Sequence, residues 1–271
     1  MATTATNLGS TCGFTTRLSL RWVPEPPEET TDTIVISVGE WFIDLRMDKK
    51  SGAIDWAMAG TMVAENPNET PLKINFTREL DSLNEIGMVD SASFSALPNG
   101  DDLETGEMPH PELPGAPMTA FEEVWHNLPF REGPEGAKQG ISWILESDDE
   151  DFRQSEEEGE VTLTKMFIGR VWGTYQAFQQ VQVHSRRKDQ DGNWVFKRTG
   201  AEVSARREEF SPGAGWVDKY VVGPEGASVP SMKTEFDGEG QGSWKVPGEK
   251  VVIDGKSFIV RAFEEIKQPC Q

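Results

Sequence analysis

TDTIVISVGEWFIDLRMDKKSGAIDWAMAGTM, residues Thr31–Met62, contains three apolar runs separated by polar turns. Asp32–Val38 is β-branched and apolar, and Trp41–Met47 alternates apolar with polar side chains. Both patterns are typical of short β-strands. A Lys-Lys-Ser-Gly turn at Lys49–Gly52 precedes the third run, Ile54–Met62. Short strands joined by short turns predict antiparallel hairpins.

The same pattern continues through the rest of the 271-residue chain. Asp191-Gly192-Asn193 and Asp254-Gly255 are hairpin-turn signals. No helical periodicity is sustained over more than about ten residues. We therefore expect an all-β protein whose halves, of about eight short strands each, roll up into two tandem antiparallel β-barrels. A barrel of about eight strands leaves room for one compact ligand.

Charge is distributed unevenly along the chain. Residues 1–160 hold 32 of the 46 acidic side chains but 10 of the 26 basic ones. Nine acidic residues crowd into Glu146–Glu160, where repulsion between like charges favours an extended, solvated connection. We therefore predict an N-terminal barrel over residues 14–147, an acidic linker over 148–160 and a C-terminal barrel over 161–267.

The composition disfavours several classes of function. A net charge of -20 repels phosphate backbones, so we expect no nucleic-acid partner. No apolar run approaches the roughly 20 residues of a membrane span, and Met1–Gly13 lacks the regions of a secretory signal. The two cysteines, Cys12 and Cys270, exclude a disulfide framework. These features together predict a cytoplasmic protein.

Signatures of the common catalytic sites are missing from the sequence. It contains no Gly-x-Ser-x-Gly, no phosphate-binding glycine loop and no His-Glu-x-x-His. The three histidines, His110, His126 and His184, lack the spacing of metal ligands. We therefore predict neither a metal site nor a cofactor.

Several motifs of the first half occur in the order of a known family. They are TRLSLRW at Thr16–Trp22, IDWAMAGT at Ile54–Thr61, LETGEM at Leu103–Met108 and FEEVW at Phe121–Trp125. The chain resembles the fungal Hri family of two-domain lipocalin-like (calycin) proteins, and GRVWGTYQAF at Gly169–Phe178 resembles that family's second half. The resemblance implies two tandem lipocalin-like barrels in a soluble, intracellular binding or interacting protein.

The segment around Gln176 is the main candidate site. If it is one strand, alternation places two aromatic rings, a guanidinium, a hydroxyl and an amide on one face. That face comprises Arg170, Trp172, Thr174, Gln176 and Phe178. A pocket for an apolar molecule needs this mixture, and a solvated outer face packed by a loop explains it equally well. We predict Arg170 and Gln176 as catalytic hydrogen-bond donors. Trp172 and Phe178 are the predicted substrate-binding walls.

Four further residues complete the predicted site. Tyr175 and His126 are reserve catalytic donors, because a slip of one residue in register exchanges the two faces of a strand. An exposed loop histidine is the competing interpretation of His126. Trp56 and Trp125 are the predicted substrate-binding residues of the first barrel. Small residues near Trp56 make room either for a ligand or for packing by tryptophans.

Glu122 and Glu123 are adjacent carboxylates in a predicted strand. Neighbouring residues of a strand point to opposite faces, so the two cannot share one substrate. We expect one to be solvated and the other to be partly buried against an arginine.

Three classes of function are compatible with these features. By analogy of fold, the first is a cofactor-independent cyclase of fungal secondary metabolism, of the (hetero-)Diels–Alderase type. Such an enzyme holds a lipophilic polyketide or terpenoid intermediate in a barrel and hydrogen-bonds its carbonyl group. The second is a carrier of a lipophilic small molecule without turnover. The third is an interaction protein whose barrels are filled by their own tryptophans. Substrate, stereochemistry and oligomeric state stay open at this point.

Overall fold

The computed structural model describes residues 12–137, 139–149, 158–236 and 244–267. These residues form sixteen β-strands and one 3-10 turn at Gly226–Ser228. The predicted all-β fold class is therefore confirmed, and the strands group into two antiparallel units.

The first unit is a closed eight-stranded barrel in which each strand is antiparallel to the next. Its last strand returns to pair with the first, and Arg17 lies opposite Trp125 at this seam. Closure gives every strand of the barrel two hydrogen-bonded neighbours. In chain order the strands are β1 (Cys12–Trp22), β2 (Thr31–Val38), β3 (Trp41–Asp48), β4 (Ile54–Ala64), β5 (Leu72–Asp81), β6 (Val89–Ala96), β7 (Asp102–Pro109) and β8 (Met118–Asn127).

The second unit is an eight-stranded antiparallel sheet. Its strands are β9 (Gln139–Ser147), β10 (Gly159–Val171), β11 (Thr174–Lys188), β12 (Trp194–Gly200), β13 (Ser204–Ser211), β14 (Gly215–Val222), β15 (Lys250–Ile253) and β16 (Lys256–Lys267). They lie in the spatial order β14-β13-β11-β10-β9-β16-β15, and β12 also pairs with β11. The two longest strands, β10 and β11, form a hairpin.

Strand β9 belongs to the second unit, although the sequence analysis placed it in the N-terminal barrel of residues 14–147. It pairs with β10 on one side and β16 on the other, where Trp143 lies opposite Arg170 and Phe263. The charge break follows β9, but the strand is buried on both faces, and such a strand needs cover from both sides of a sheet. Most of the predicted linker, residues 150–157, lies outside the described residues.

The two units share one hydrophobic core. Outward-facing side chains of β2 and β3, among them Ile36 and Ile43, belong to the same buried cluster as Phe167 and Phe178 of the second sheet. Gly169 lies at the contact, where an added Cβ would be 2.7 Å from the Ile43 side chain. The other face of the sheet covers a second core, which contains Trp143, Leu145, Ile168, Tyr175, Trp216 and Phe258.

Candidate functional site

A cavity of about 210 Å³ lies inside the first barrel. All eight strands contribute residues to its wall. The volume exceeds the roughly 150 Å³ of an engineered protein cavity that accepts benzene, so a small ring system fits. Twelve apolar side chains form most of the wall: Val35, Phe42, Trp56, Met58, Met62, Ile74, Phe76, Ala92, Phe94, Met108, Phe121 and Trp125.

Strand alternation divides β3 between this cavity and the core shared with the second unit. Ile43 and Leu45 point outward into the shared core. Phe42, Asp44 and Arg46 line the cavity instead. Both faces of β3 are therefore buried, and its two charged inward-facing side chains lie inside the barrel.

Asp44 and Arg46 form the centre of a buried ion cluster. Nε and Nη2 of Arg46 donate to Oδ2 of Asp44 at 3.0 and 2.9 Å, and Nη1 donates to Oε1 of Glu123 at 3.1 Å. Arg17 reaches the same Glu123 oxygen from β1 at 2.5 Å. None of these four side chains is more than 7% exposed. Water therefore screens their charges weakly, and a charged ligand would interact with them strongly.

Glu104 lies directly opposite Glu123 in the β7–β8 pair, and both side chains line the cavity. Burial, together with the charge of Glu123, raises the pKa of Glu104 to about 8. The Nε1–H of Trp125 donates to Oε2 of Glu104 at 2.7 Å and orients the carboxyl group. At neutral pH this carboxyl is therefore largely protonated, and it can donate a hydrogen bond as well as accept one.

Asp44 keeps one carboxylate oxygen without a hydrogen bond. Among the described residues no donor reaches its Oδ1, although the residue is only 3% exposed. Burial raises the pKa of this carboxyl, and the adjacent Arg46 opposes that shift. A buried polar atom without a partner costs about 1–3 kcal/mol. Oδ1 is therefore available to accept a hydrogen bond from a ligand.

Two of the predicted substrate-binding residues, Trp56 and Trp125, lie on the wall of the cavity. The Arg46 guanidinium is 4.7 Å from the ring centroid of Trp56 and 5.7 Å from that of Trp125. The Arg78 guanidinium is 5.4 Å from the ring centroid of Trp56. The Nε1–H of Trp56 donates to Oδ1 of Asp81 at 3.2 Å. Charged neighbours therefore fix both indole rings in place.

The single face predicted from Arg170 to Gln176 is wrong, because a two-residue turn at Trp172 and Gly173 divides the segment between β10 and β11. A Cβ on Gly173 would lie 2.1 Å from the backbone oxygen of Glu132, so the turn requires glycine. Alternation does not continue across such a turn. Arg170 consequently lies on the face of the sheet opposite that of Gln176.

Arg170 is fully buried beside the second core. Its Nε donates to the Trp172 backbone oxygen at 2.6 Å, and its Nη2 donates to Glu135 at 2.5 Å. The guanidinium lies 5.3 Å from the ring centroid of Trp216. These contacts connect the loop before β9 to the β10–β11 hairpin.

Gln176, Phe178 and Trp172 lie in the contact between the two units. Nε2 of Gln176 donates to the Ile34 backbone oxygen at 3.0 Å. Phe178 is fully buried in the shared core, and Trp172 stacks on Phe130 with 5.4 Å between ring centroids. Aromatic and amide groups therefore join the two units here, where the sequence analysis had considered a pocket or a solvated face.

The reserve donors also lie away from the cavity. The Tyr175 hydroxyl donates to the Pro230 backbone oxygen at 2.7 Å, and burial raises its pKa. His126 is about half exposed and hydrogen-bonds through Nδ1 to Oδ1 of Asp101 at 2.6 Å. None of the four predicted catalytic residues lines the described cavity; they are Arg170, Gln176, Tyr175 and His126.

The adjacent glutamates of β8 divide as expected. Glu122 forms an ion pair with Arg21 at 2.7 Å on the outside of the barrel. Glu123 is buried and contacts Arg17 and Arg46. The two carboxylates therefore lie on opposite faces as predicted, but both pair with arginine, and Glu123 is fully and not partly buried.

Asp44, Arg46 and Glu104 line the cavity but were not among the site residues predicted from the sequence. A signal existed in FIDLR, where charged side chains alternate with Ile43 and Leu45. Alternation by itself does not show which face of a strand lies inside a barrel. In β3 the polar face lines the cavity.

In the part of the chain that the structure describes, no group of three or more His, Cys, Asp or Glu side chains is placed to hold a metal ion. The same residues include no helix with the length and apolarity of a membrane span.

Comparison with known proteins adds two similarities. A family model described as Protein HRI1 matches residues 13–249. The crystal structure of the uncharacterized protein YLR301w from Saccharomyces cerevisiae is similar, with a TM-score of 0.65 and 17% sequence identity. The alignment covers 94% of this chain and 99% of the yeast chain, and at this identity it supports the fold alone. No curated protein matches the sequence.

Proposed function

The chain belongs to the HRI1 family, and from that premise we propose that it binds a lipophilic small molecule inside its first barrel, as a lipocalin-like protein does. The observation that carries the proposal is the cavity of about 210 Å³ with twelve apolar side chains in its wall. Ligand sites of proteins are concave and mostly apolar, with a few polar groups that fix orientation. Asp44 and Glu104 are such groups.

The interior of the first barrel and the second core differ in a way that supports this proposal. The second core is filled by its own aromatic rings, and Trp143 lies 5.3 Å from Phe236 and 5.4 Å from Trp244 between ring centroids. The first barrel instead keeps an open volume, although Phe42, Phe76 and other rings line it. A barrel that serves only as a scaffold gains stability by filling its interior.

Binding is tested with N-phenyl-1-naphthylamine, an uncharged lipophilic probe whose fluorescence rises in apolar surroundings. Ala92→Phe places a ring in the cavity, because Ala92 is buried on its wall. We expect this variant to raise the Kd of the probe at least tenfold. Ser95→Phe is the matched control, since Ser95 lies opposite Leu103 on the other face of the same strand and does not line the cavity.

Equal affinities of the wild type and Ala92→Phe would place the probe elsewhere and overturn the proposed function. Thermal unfolding of both variants shows whether the barrel is still folded. Loss of affinity in Ser95→Phe as well would mean that the probe recognises the outer surface of β6.

A second candidate function is cyclisation of the bound molecule, of the (hetero-)Diels–Alder type. The observation that favours it is Glu104, whose pKa of about 8 leaves a protonated carboxyl on the cavity wall at neutral pH. A protonated carboxyl donates a hydrogen bond to a carbonyl oxygen, which gains electron density as the new bonds form. The apolar wall would hold the two reacting parts together.

This second candidate is tested with a lipophilic triene whose alkene carries an activating ketone. Chromatography follows the cyclised product with wild type, with Glu104→Met and without protein. We expect Glu104→Met to reduce the rate tenfold or more, because methionine has no N–H or O–H to donate and one aimed donor contributes about 3 kcal/mol. Equal rates in all three reactions would leave binding as the function of the barrel.

A further inference from the structure

The wall of the cavity carries many more acidic than basic groups. Its one guanidinium among the described residues is that of Arg46. Its carboxyl groups belong to Asp44, Asp90, Asp102, Glu104, Glu107 and Glu123. Asp90 and Glu107 are exposed, and Asp90 pairs with Arg78, so the carboxyl groups that matter here are the ones around Arg46 inside the barrel. An excess of carboxyl groups in a weakly screened interior attracts positive charge and repels negative charge.

Arg78 pairs with Asp90 at the edge of the cavity, but the guanidiniums beside Asp44 and Glu123 do not balance the carboxyl groups inside the barrel. Arg46 directs its hydrogen bonds to Asp44 and Glu123, and Arg17 donates to Glu123 and Glu29. The two guanidiniums therefore pair with three carboxylates, those of Asp44, Glu123 and Glu29, and this number does not include Glu104. Oδ1 of Asp44 still has no partner among the described residues.

We propose that the ligand of the first barrel is a lipophilic molecule with a protonated amine, and that its ammonium group binds beside Asp44 and Glu104. This inference rests on the proposed binding function and names its ligand class. An ammonium group brings three N–H donors, one of which satisfies Oδ1 of Asp44. It also supplies the positive charge that this end of the cavity lacks.

The rest of the cavity suits the body of such a molecule. Phe42, Phe76 and Phe94 form a continuous aromatic wall, with ring centroids 5.7 and 6.2 Å apart. Trp56 and Trp125 lie at the acidic end, where their faces already contact the Arg46 cation. Indole faces stabilise cations in general. A ligand with one ammonium group and one ring system therefore has a complementary surface at both ends.

Binding of an ammonium group has a second measurable consequence. Burial and Glu123 keep Glu104 largely protonated in the free protein at pH 7. A cation beside the carboxyl favours its ionised form and lowers its pKa. Because the amine is already protonated in solution, binding at pH 7 releases up to one proton from Glu104.

The test compares three probes of nearly equal shape: 1-naphthylmethylamine, 1-naphthylmethanol and 1-naphthoate. Titration calorimetry of the full chain at pH 7 is carried out at two salt concentrations and in two buffers of different ionisation enthalpy. We expect the amine to bind at least tenfold more tightly than the alcohol, and the carboxylate to bind most weakly. Proton release should accompany the amine alone.

Two variants locate the effect. Glu104→Gln keeps an acceptor for the Trp125 N–H and should abolish proton release while reducing the preference for the amine. Asp44→Asn should reduce the same preference. Glu122→Gln is the matched control, because Glu122 forms its ion pair with Arg21 and does not line the cavity.

The outcomes separate this inference from the proposed function. Equal binding of amine and alcohol, weakened for both by Ala92→Phe, would overturn the ligand class and keep the binding function. Tightest binding of the carboxylate would do the same. Amine binding that survives Ala92→Phe and disappears with salt would mean attraction to the acidic surface, and the inference would fail. Absence of binding for all three probes and for N-phenyl-1-naphthylamine would overturn both.

Discussion

Glu104 and Glu123 face each other across the β7–β8 pair, and this arrangement determines the charge of the cavity. Glu123 has Arg17 and Arg46 within hydrogen-bond distance. Glu104 accepts from the neutral Trp125 N–H, which stabilises its ionised form less than a guanidinium would. Burial and the charge of Glu123 raise the pKa of Glu104 to about 8, and Arg46 and the Trp125 N–H oppose that shift only in part.

Glu104 makes the stability of the protein depend on pH in a defined direction. Its pKa is about 8 in the folded protein against an ordinary value of 4.5. Between these values the folded state holds a proton that the unfolded state has lost, so stability falls as pH rises from 4.5 to 8. Glu104→Gln removes this term, and we expect the variant to gain about 1 kcal/mol or more relative to wild type between pH 5 and pH 8.

Urea denaturation at both pH values measures this difference. Glu122→Gln serves as the control, because Arg21 lowers the pKa of Glu122 and its titration lies below this window. A gain of the same size in Glu122→Gln, or no gain in Glu104→Gln, would contradict the assignment of the raised pKa.

At the scale of elements, the β10–β11 hairpin connects the two units and the loop before β9. Its turn at Trp172 and Gly173 is covered by that loop, since Gly173 N–H donates to the Arg131 oxygen at 2.9 Å. Phe210 N–H in turn donates to the Gly173 oxygen at 2.8 Å. The turn therefore has backbone on both sides and no space for a side chain at the second position.

Gly173→Ala tests this close approach. The new Cβ would lie 2.1 Å from the Glu132 oxygen, and the contact is with backbone, which moves only if the loop moves. We expect a loss of about 2–4 kcal/mol in the free energy of unfolding. Gly159→Ala on the same hairpin is the control, because nothing lies within 4 Å of its added Cβ. Similar losses in the two variants, measured by urea denaturation, would contradict the role of the loop.

At the scale of the whole molecule, the two units are joined by polar contacts as well as by the shared core. Asp32 of β2 accepts hydrogen bonds from Arg207 at 3.2 Å and from the Tyr220 hydroxyl at 2.7 Å. Gln180 of β11 donates to the Asp81 backbone oxygen at 2.8 Å. Since each unit satisfies buried polar groups of the other, we expect them to unfold together.

Phe178→Ala tests the shared core. Phe178 is fully buried, and its replacement should cost about 3–5 kcal/mol while leaving a single unfolding transition. Phe196→Ala is the matched control, because Phe196 is 65% exposed and should change stability by less than about 1 kcal/mol. Calorimetry measures both. Two separate unfolding transitions would show instead that the units are independent. Loss of probe binding in Phe178→Ala without loss of stability would show that Phe178 lines a ligand site.

Local sequence was sufficient for the strands and their antiparallel arrangement, but not for the division into units, because β9 belongs to the second unit. Alternation in Trp41–Met47 and the turn at Lys49–Gly52 act between residues that are near in the chain, and the structure has strand and turn at both places. The prediction of Trp56 and Trp125 as wall residues of the first barrel agrees with their position on the cavity. The prediction from Arg170 to Gln176 failed because the turn at Trp172 and Gly173 interrupts the alternation.

The amino-acid pattern by itself determined that the chain forms short antiparallel strands, since apolar alternation and turn residues act over a few neighbouring positions. The tertiary structure decided which face of each strand lies inside, because closure of the barrel, and not alternation, distinguishes the two faces. It also decided the chemistry of the cavity. Arg17 and Glu123 are 106 residues apart in the chain and meet only when β8 closes against β1. The charge excess around Asp44 and Glu104 is likewise a property of strands brought together by folding, because no short segment contains all of its members.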